Sequence, residues 1–146
     1  MPIDQETIKD KLTMIGEYIT ELEPFLKYSN EDIVADKSKL RNVERLLQLI
    51  VDEAVDVNSH LIAELNLESP REYRGTFIIL GKNGIMPAGF AEKISESVGL
   101  RNGIVHQYEK IDTGRMLNDI RNNIGDYTEY MRFVADFVEK KNSVRL

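Results

Sequence analysis

Apolar residues recur every three or four positions along most of the chain, the spacing that places them on one face of an α-helix. The first such segment begins after Asp4, a residue type that caps helices, and ends near Pro24. A second, long helix is expected from about Ile33 to Leu65, after a turn over residues 28–32. Strand-like alternation is not seen, so the pattern predicts an all-α chain.

Three further helices are predicted in the second half of the chain. The third, over residues 73–80, is stopped by the glycines at positions 81 and 84. Pro87 suits the first turn of a fourth helix, which continues through Val98 into the residues discussed below. Asp112 or Thr113 caps a final helix whose apolar spacing is close to a heptad. About five helices of these lengths predict an up-and-down helical bundle, and 146 residues predict a single domain over residues 1–146.

The composition narrows the functional classes. A formal charge of −6 argues against a general nucleic-acid binder, so any RNA must meet a local basic cluster, for which the eight Lys and Arg residues from Arg71 to Arg121 are the candidates. The absence of cysteine excludes disulfides, thiolate metal sites and a cysteine nucleophile. No apolar run has membrane-spanning length, and the N-terminus lacks the order of a signal peptide. We therefore expect a cytoplasmic protein.

The segment from Arg101 to Tyr108 carries the residues best suited to chemistry. Arginine offers a charged planar fork for phosphate oxygens, and histidine exchanges protons near neutral pH. Together they can cut a phosphodiester without a metal when the ribose 2′-hydroxyl is the nucleophile, which requires RNA. We expect His106 to handle a proton, Arg101 to stabilise charge, and Asn102, one turn before His106, to orient the imidazole. Neither a metal nor a cofactor is predicted.

Each of these residues also has a structural interpretation. His106 can be a surface or interface histidine, and Arg101 can be the ion-pair partner of Glu96 or of an aspartate in the second helix. Asn102 can simply hydrogen-bond to the backbone. Tyr108 can be a half-buried aromatic residue. His60, the other histidine, is expected to be structural or exposed. A polar row on the second helix has no assigned role: Arg45, Gln48, Asp52 and Asp56.

Through the motif R-N-x-x-x-H-x-Y, the chain resembles the HepT-like family of HEPN domains, the toxins of prokaryotic HEPN/MNT toxin–antitoxin pairs. Arg101, Asn102, His106 and Tyr108 fill it. Upstream segments follow the family pattern in the same order, over roughly residues 40–138. The resemblance implies an endoribonuclease that an MNT-type nucleotidyltransferase antitoxin silences by transferring AMP to Tyr108. It also implies a homodimer, in which the motif helices pair and line a shared cleft.

Helical geometry independently raises the question of a second copy. Arg101 and His106 lie roughly 140° apart around an ideal helix, so one straight helix does not aim both at one phosphate. Either Gly103 loosens the helix or a second chain completes the site, and the dimer is favoured. The alternative function is a non-catalytic HEPN module that binds a nucleotide or a nucleotidyltransferase partner. A third interpretation is a dimeric interaction bundle without a ligand.

Overall fold

The computed structural model describes residues 4–106 and 112–143 as an all-α bundle. The described residues form seven α-helices and one short 3-10 helix, and no strand. The α-helices are α1 (Gln5–Leu22), α2 (Asn30–Ala35), α3 (Lys37–Glu64), α4 (Tyr73–Lys82), α5 (Ala88–Ser95), α6 (Ser97–His106) and α7 (Thr113–Ser143). The 3-10 helix spans Phe25–Lys27. The predicted fold class is therefore confirmed.

The three long helices α1, α3 and α7 form the frame of the bundle. Cross-contacts set their directions: the backbone N–H of Asp4 donates to Glu64 Oε2 at 3.0 Å, and Asn142 donates to Gln5 at 3.4 Å. The start of α1 thus lies beside the ends of both α3 and α7, so α1 runs antiparallel to each. Their apolar stripes meet in one hydrophobic core, to which the shorter helices also contribute.

Three polar side chains inside this core form one hydrogen-bond network. The Tyr130 hydroxyl donates to the Ala54 carbonyl at 3.0 Å and to Asn58 Oδ1 at 2.5 Å. The amide of Asn58 donates to the Thr76 hydroxyl at 3.0 Å. Because an unpaired buried polar group is costly, this network fixes α7, α3 and α4 in one arrangement.

The predicted second helix is divided in two, which the sequence prediction missed. Asp36 adopts an extended backbone between α2 and α3, and its carboxylate accepts hydrogen bonds from the N–H groups of Ser38 and Lys39. The hydrogen bond from the Lys39 side chain, together with these backbone donors, holds the pKa of Asp36 below its ordinary value. An aspartate that caps the following turn interrupts the helix that precedes it.

The predicted fourth helix is also divided, at Glu96, between α5 and α6. The hydroxyls of Ser95 and Ser97 each donate to the carbonyl three residues earlier, and the Glu96 N–H bonds to Lys93. These short-range bonds compete with the regular helical ladder. Pro87 precedes α5 as its N-cap residue rather than lying within its first turn. The two divisions account for seven helices where about five were predicted.

The predicted stop after α4 is confirmed, and its two glycines have different roles. Gly84 has φ +75°, and the adjacent Ile85 N–H reaches back to the Leu80 carbonyl, a common helix termination. Gly81 lies inside α4, where an added Cβ would come within 2.6 Å of Ala91 Cβ. Its missing side chain lets α4 and α5 pack closely. At the opposite end of α4, Tyr73 faces Arg101 of α6.

Candidate active site

Helix α6 carries the motif residues Arg101, Asn102 and His106 and is anchored to the rest of the bundle. Val98 and Ile104 are buried in the core. The Ser97 and Tyr127 hydroxyls share a buried hydrogen bond of 2.6 Å, which ties α6 to α7. Burial raises the pKa of the Tyr127 phenol well above its ordinary range, although the bond with Ser97 acts in the opposite direction. Tyr127 is therefore a neutral structural partner that fixes the position of α6.

Arg101 projects from α6 towards α3, where Asp52 holds it. Its Nε donates to Asp52 Oδ1 at 2.9 Å, and its side chain is only 15% exposed. Its Nη1 donates to Asn102 Oδ1 at 3.2 Å. The guanidinium carbon also lies 5.4 Å from the centre of the Tyr73 ring, within cation–π range. Three contacts thus orient one guanidinium.

A cleft of about 510 Å³ lies between α6 and the start of α4. Arg101, Asn102 and His106 line it from α6, and both Asn102 and His106 are exposed. The remaining lining residues are Glu72, Tyr73, Arg74, Val98 and Gly99. The three catalytic candidates predicted from the sequence therefore lie in one cleft.

Within this cleft Arg101 and His106 belong to the same chain. Helix α6 runs unbroken through Gly103, so the local loosening considered as the alternative to a dimer is not seen. Because both residues nevertheless line one cleft, their angular offset does not by itself require a second copy. The dimer remains a prediction that rests on the family resemblance.

The polar row of α3 separates into distinct contacts. Asp52 is the aspartate that pairs with Arg101, so the alternative partner Glu96 is not used. Arg45 donates to Gln48 at 3.2 Å within the helix. Asp56 pairs with Lys11 of α1 at 3.5 Å, away from the cleft. Only one member of the row therefore contributes to the candidate site in the described part of the chain.

Sequence reasoning missed the α4 wall of the cleft. Tyr73 was predicted to belong to a short helix, but it is 47% exposed and faces Arg101. Arg74 donates from Nε to Ser95 Oγ at 3.0 Å, and Glu72 precedes the helix. The sequence does indicate that residues 71–74 lie near the surface, because Ser69-Pro70 ends the preceding segment.

The predicted modification site is not among the residues that the structure describes. Tyr108 falls within residues 107–111, outside the described residues. His60 is exposed on α3 and is not among the described residues that line the cleft.

Over residues 4–106 and 112–143, no group of three or more potential metal-ligating side chains is found. The helices of those same residues include none long and apolar enough to cross a membrane.

Comparison with curated proteins finds two informative relatives. The chain is 33% identical over 138 residues to a tRNA nuclease HepT of Aphanizomenon flos-aquae, which covers 93% of this chain and 92% of the relative. It is 21% identical over 101 residues to an mRNA nuclease HepT of Shewanella oneidensis, covering 69% of this chain and 73% of that protein. Similarity to the first relative extends over almost the whole of both chains.

Comparison with solved structures supports the fold. A tri-AMPylated HEPN toxin of Shewanella oneidensis, solved in complex with an MNT antitoxin, superimposes with a TM-score of 0.81. It is 20% identical, and the match covers 88% of this chain and 96% of that chain. The arrangement of helices is therefore that of a HEPN domain.

The family model described as ribonuclease HepT-like matches residues 15–134, which include every described residue of the candidate site. With the near-complete match to a HepT relative and the HEPN arrangement of helices, this chain belongs to the HepT-like ribonuclease family.

Proposed function

We propose that this protein is an RNA nuclease toxin of the HepT type. The observation that carries the proposal is the cleft between α6 and the start of α4, because Arg101, Asn102 and His106 all line it. The chain also belongs to the ribonuclease HepT-like family. Two relatives are named as a tRNA nuclease and an mRNA nuclease, which supports RNA as the substrate class. The names of these relatives differ in the RNA that is cut, so the proposal commits to RNA alone.

The reaction is an attack of the ribose 2′-oxygen on the adjacent phosphorus. A base removes the 2′-hydroxyl proton as the new P–O bond forms, and an acid protonates the departing 5′-oxygen as the old bond breaks. The products are a 2′,3′-cyclic phosphate and a 5′-hydroxyl. Neither step needs a metal ion. His106 is the group in the cleft suited to exchange these protons, because imidazole serves as both acid and base near neutrality.

Arg101 stabilises the negative charge that builds on the non-bridging oxygens. Asp52 engages its Nε, which directs the terminal nitrogens of the fork towards Asn102 and the cleft. Charge-assisted hydrogen bonds from such a fixed fork are stronger than neutral ones and need no rearrangement during the reaction. Asn102 accepts from this fork through its Oδ1. Its proposed role is to orient the His106 imidazole.

A homodimer would supply the second proton-transfer group. One His106 acts as the base and the copy from the partner subunit acts as the acid, with two arginines around the same phosphate. The exposure of Asn102, Val105 and His106 along α6 leaves this face available for such pairing. Dimerisation through the motif helices is therefore part of the proposal.

Control of the nuclease is proposed to act at Tyr108. The HEPN relative of known structure is AMPylated and bound to an MNT antitoxin, so we propose a nucleotidyltransferase partner for this chain. Tyr108 follows His106 by two positions. An AMP attached there would bring a negative charge and a bulky adenosine close to the catalytic residues, which would repel and exclude RNA.

One observation favours the non-catalytic alternative. Asp52 already neutralises Arg101, which is what a purely structural ion pair would do. The alternative predicts an intact fold and partner binding without RNA cleavage. The catalytic proposal instead requires the Nη groups of Arg101 to bind the phosphate while its Nε donates to Asp52.

The chemistry of the products tests the proposal directly. Purified protein should cleave RNA in excess chelator and leave 2′,3′-cyclic phosphate and 5′-hydroxyl ends, which end-specific labelling and mass spectrometry detect. An RNA with a 2′-deoxy sugar at the mapped cut position should resist cleavage there. Cleavage of that deoxy-substituted bond, or products that carry 5′-phosphates, would contradict the mechanism.

A further inference from the structure

The cleft contains an exposed aromatic ring for which the proposed reaction has no use. Tyr73 is 47% exposed at the first turn of α4, whereas Tyr127 and Tyr130 are fully buried and hydrogen-bonded in the core. Exposing so large an apolar surface forgoes the free energy that burial would provide. Unlike the similarly exposed Tyr28, this ring also lines the cleft, so a ligand bound there can contact it.

The surroundings of Tyr73 select the kind of ligand. The Arg101 guanidinium lies over the ring at 5.4 Å, which holds the ring beside the proposed phosphate position. The adjacent carboxylate of Glu72 disfavours a phosphate against the ring itself. A flat, uncharged group covalently linked to a phosphate fits both conditions. A nucleobase is such a group.

The two walls of the cleft thus differ in chemistry. The α6 wall presents Arg101, Asn102 and His106, which suit a phosphate, and the α4 wall presents the Tyr73 ring. A cleft of about 510 Å³ lies within the range of sites that hold small ligands. Base stacking on aromatic side chains is the general means by which proteins hold unpaired RNA.

We propose that Tyr73 is a substrate-binding residue, which stacks against an unpaired nucleobase next to the phosphate held by Arg101. The inference rests on the proposed nuclease function and extends it: the substrate is RNA with an unstacked, single-stranded nucleotide at the cut. A base inside an A-form duplex is stacked on both faces and cannot reach the ring. Duplex RNA is therefore excluded from productive binding.

Binding of two non-cleavable probes isolates the stacking contact. The first is a fluorescein-labelled decamer of 2′-O-methyladenosine, and the second is the same backbone without bases. Wild-type protein should bind the first probe on the order of ten- to hundredfold more tightly, by fluorescence anisotropy, because stacking is lost with the bases. Tyr73→Leu should remove most of that preference, and Tyr73→Phe should retain it.

Two control variants separate stacking from other effects. Tyr28 is a matched tyrosine, 45% exposed with Lys39 4.7 Å above its ring, and it is not among the described residues that line the cleft. Tyr28→Leu should keep the wild-type preference. Asp52→Asn changes the support of Arg101 and not the Tyr73 side chain, so it should preserve the ratio of the two affinities.

A spectroscopic arm reports stacking without any dependence on cleavage. The chain has no tryptophan, so Tyr73→Trp introduces a single indole whose emission should be quenched by the base-bearing probe and not by the abasic one. Tyr28→Trp should show no such difference. Equal binding of both probes by the wild type, or an unchanged preference in Tyr73→Leu, would overturn the inference. A base preference that depends on Tyr73, without RNA cleavage by the wild type, would reject the nuclease function and leave the stacking site standing.

Discussion

Arg101 Nε lies 2.9 Å from Asp52 Oδ1, which joins the motif helix to the long helix α3. The contact is partly buried, with side-chain exposures of 15% and 35%, so solvent screens it less than a surface ion pair. Its consequence is a fixed guanidinium in the cleft. In the proposed mechanism, Asp52 is therefore a positioning residue for Arg101.

Removing the Asp52 carboxylate should change kcat more than it changes KM. Asp52→Ala should reduce kcat on the order of tenfold, because Arg101 keeps its charge but loses its orientation. KM should change less, since the added net positive charge attracts RNA. Steady-state kinetics on a short fluorogenic RNA measures both parameters.

Asp56→Ala provides the control for the Asp52 variant, because Asp56 lies one turn along α3 and pairs with Lys11 instead. It causes the same change in net charge and should leave kcat within about twofold. An Asp52→Ala enzyme with wild-type kcat would show that Arg101 needs no positioning.

Tyr108 is predicted to be the residue through which the antitoxin acts. Tyr108→Phe should retain most nuclease activity, because phenylalanine keeps the ring and loses only the hydroxyl that would accept AMP. Incubation with the cognate nucleotidyltransferase and ATP should silence the wild type and not the variant. Intact-mass spectrometry should show AMP additions on the wild type, with the addition at position 108 absent in the variant. AMP mapped solely to other residues would refute the role of Tyr108.

The native unit is predicted to be a homodimer through α6. Light scattering should give about twice the chain mass of 16.8 kDa. Val105→Glu would place a charge on an exposed apolar position of α6 and should dissociate the dimer with loss of activity. A fully active monomer at nanomolar concentration would remove the need for a composite site.

The stability of the fold should decline at high pH through its buried tyrosines. Burial raises the pKa of Tyr127, and burial together with nearby Tyr127 raises that of Tyr130, so both phenols ionise more readily in the unfolded chain. Their contribution is fully present below the unfolded pKa of about 10 and is lost as pH rises above it.

Tyr127→Phe tests this assignment by urea unfolding between pH 7 and 11. The variant should lose about 1 kcal/mol at pH 7, because the bond with Ser97 disappears, and its stability should fall less steeply above pH 10. Tyr28→Phe, at an exposed position, should keep the wild-type slope. An unchanged slope in Tyr127→Phe would contradict the account.

The sequence predicted the parts of this molecule that depend on local pattern. Apolar spacing identified the long helices, and Asp4 caps α1 by accepting the Thr7 N–H as expected. The break at Asp36 was missed because a capping aspartate and an ordinary exposed aspartate look alike within a helical pattern. The break at Glu96 depends on serine bonds to nearby carbonyls, which helical spacing does not reveal.

The site was predictable for residues on one helix and less so for residues brought together by packing. Arg101, Asn102 and His106 were identified from their spacing and from the family motif, and they line one cleft. An aspartate of the second helix was considered as a partner for Arg101, but only tertiary packing selects Asp52. The exposure of Tyr73 depends on how α4 meets α6, which no local pattern encodes.

The most direct test of the central claim compares the two histidines of the chain. His106 lies in the cleft beside Arg101, whereas His60 is exposed on α3 and is not among the described residues that line it. Each should be replaced by alanine, and cleavage of RNA should be measured in excess chelator with circular dichroism as a check of folding. Proton-transfer catalysis typically contributes a hundred- to ten-thousandfold, so His106→Ala should lose at least about a hundredfold in rate while His60→Ala remains close to wild type. Equal cleavage by wild type and a folded His106→Ala variant would contradict the assignment.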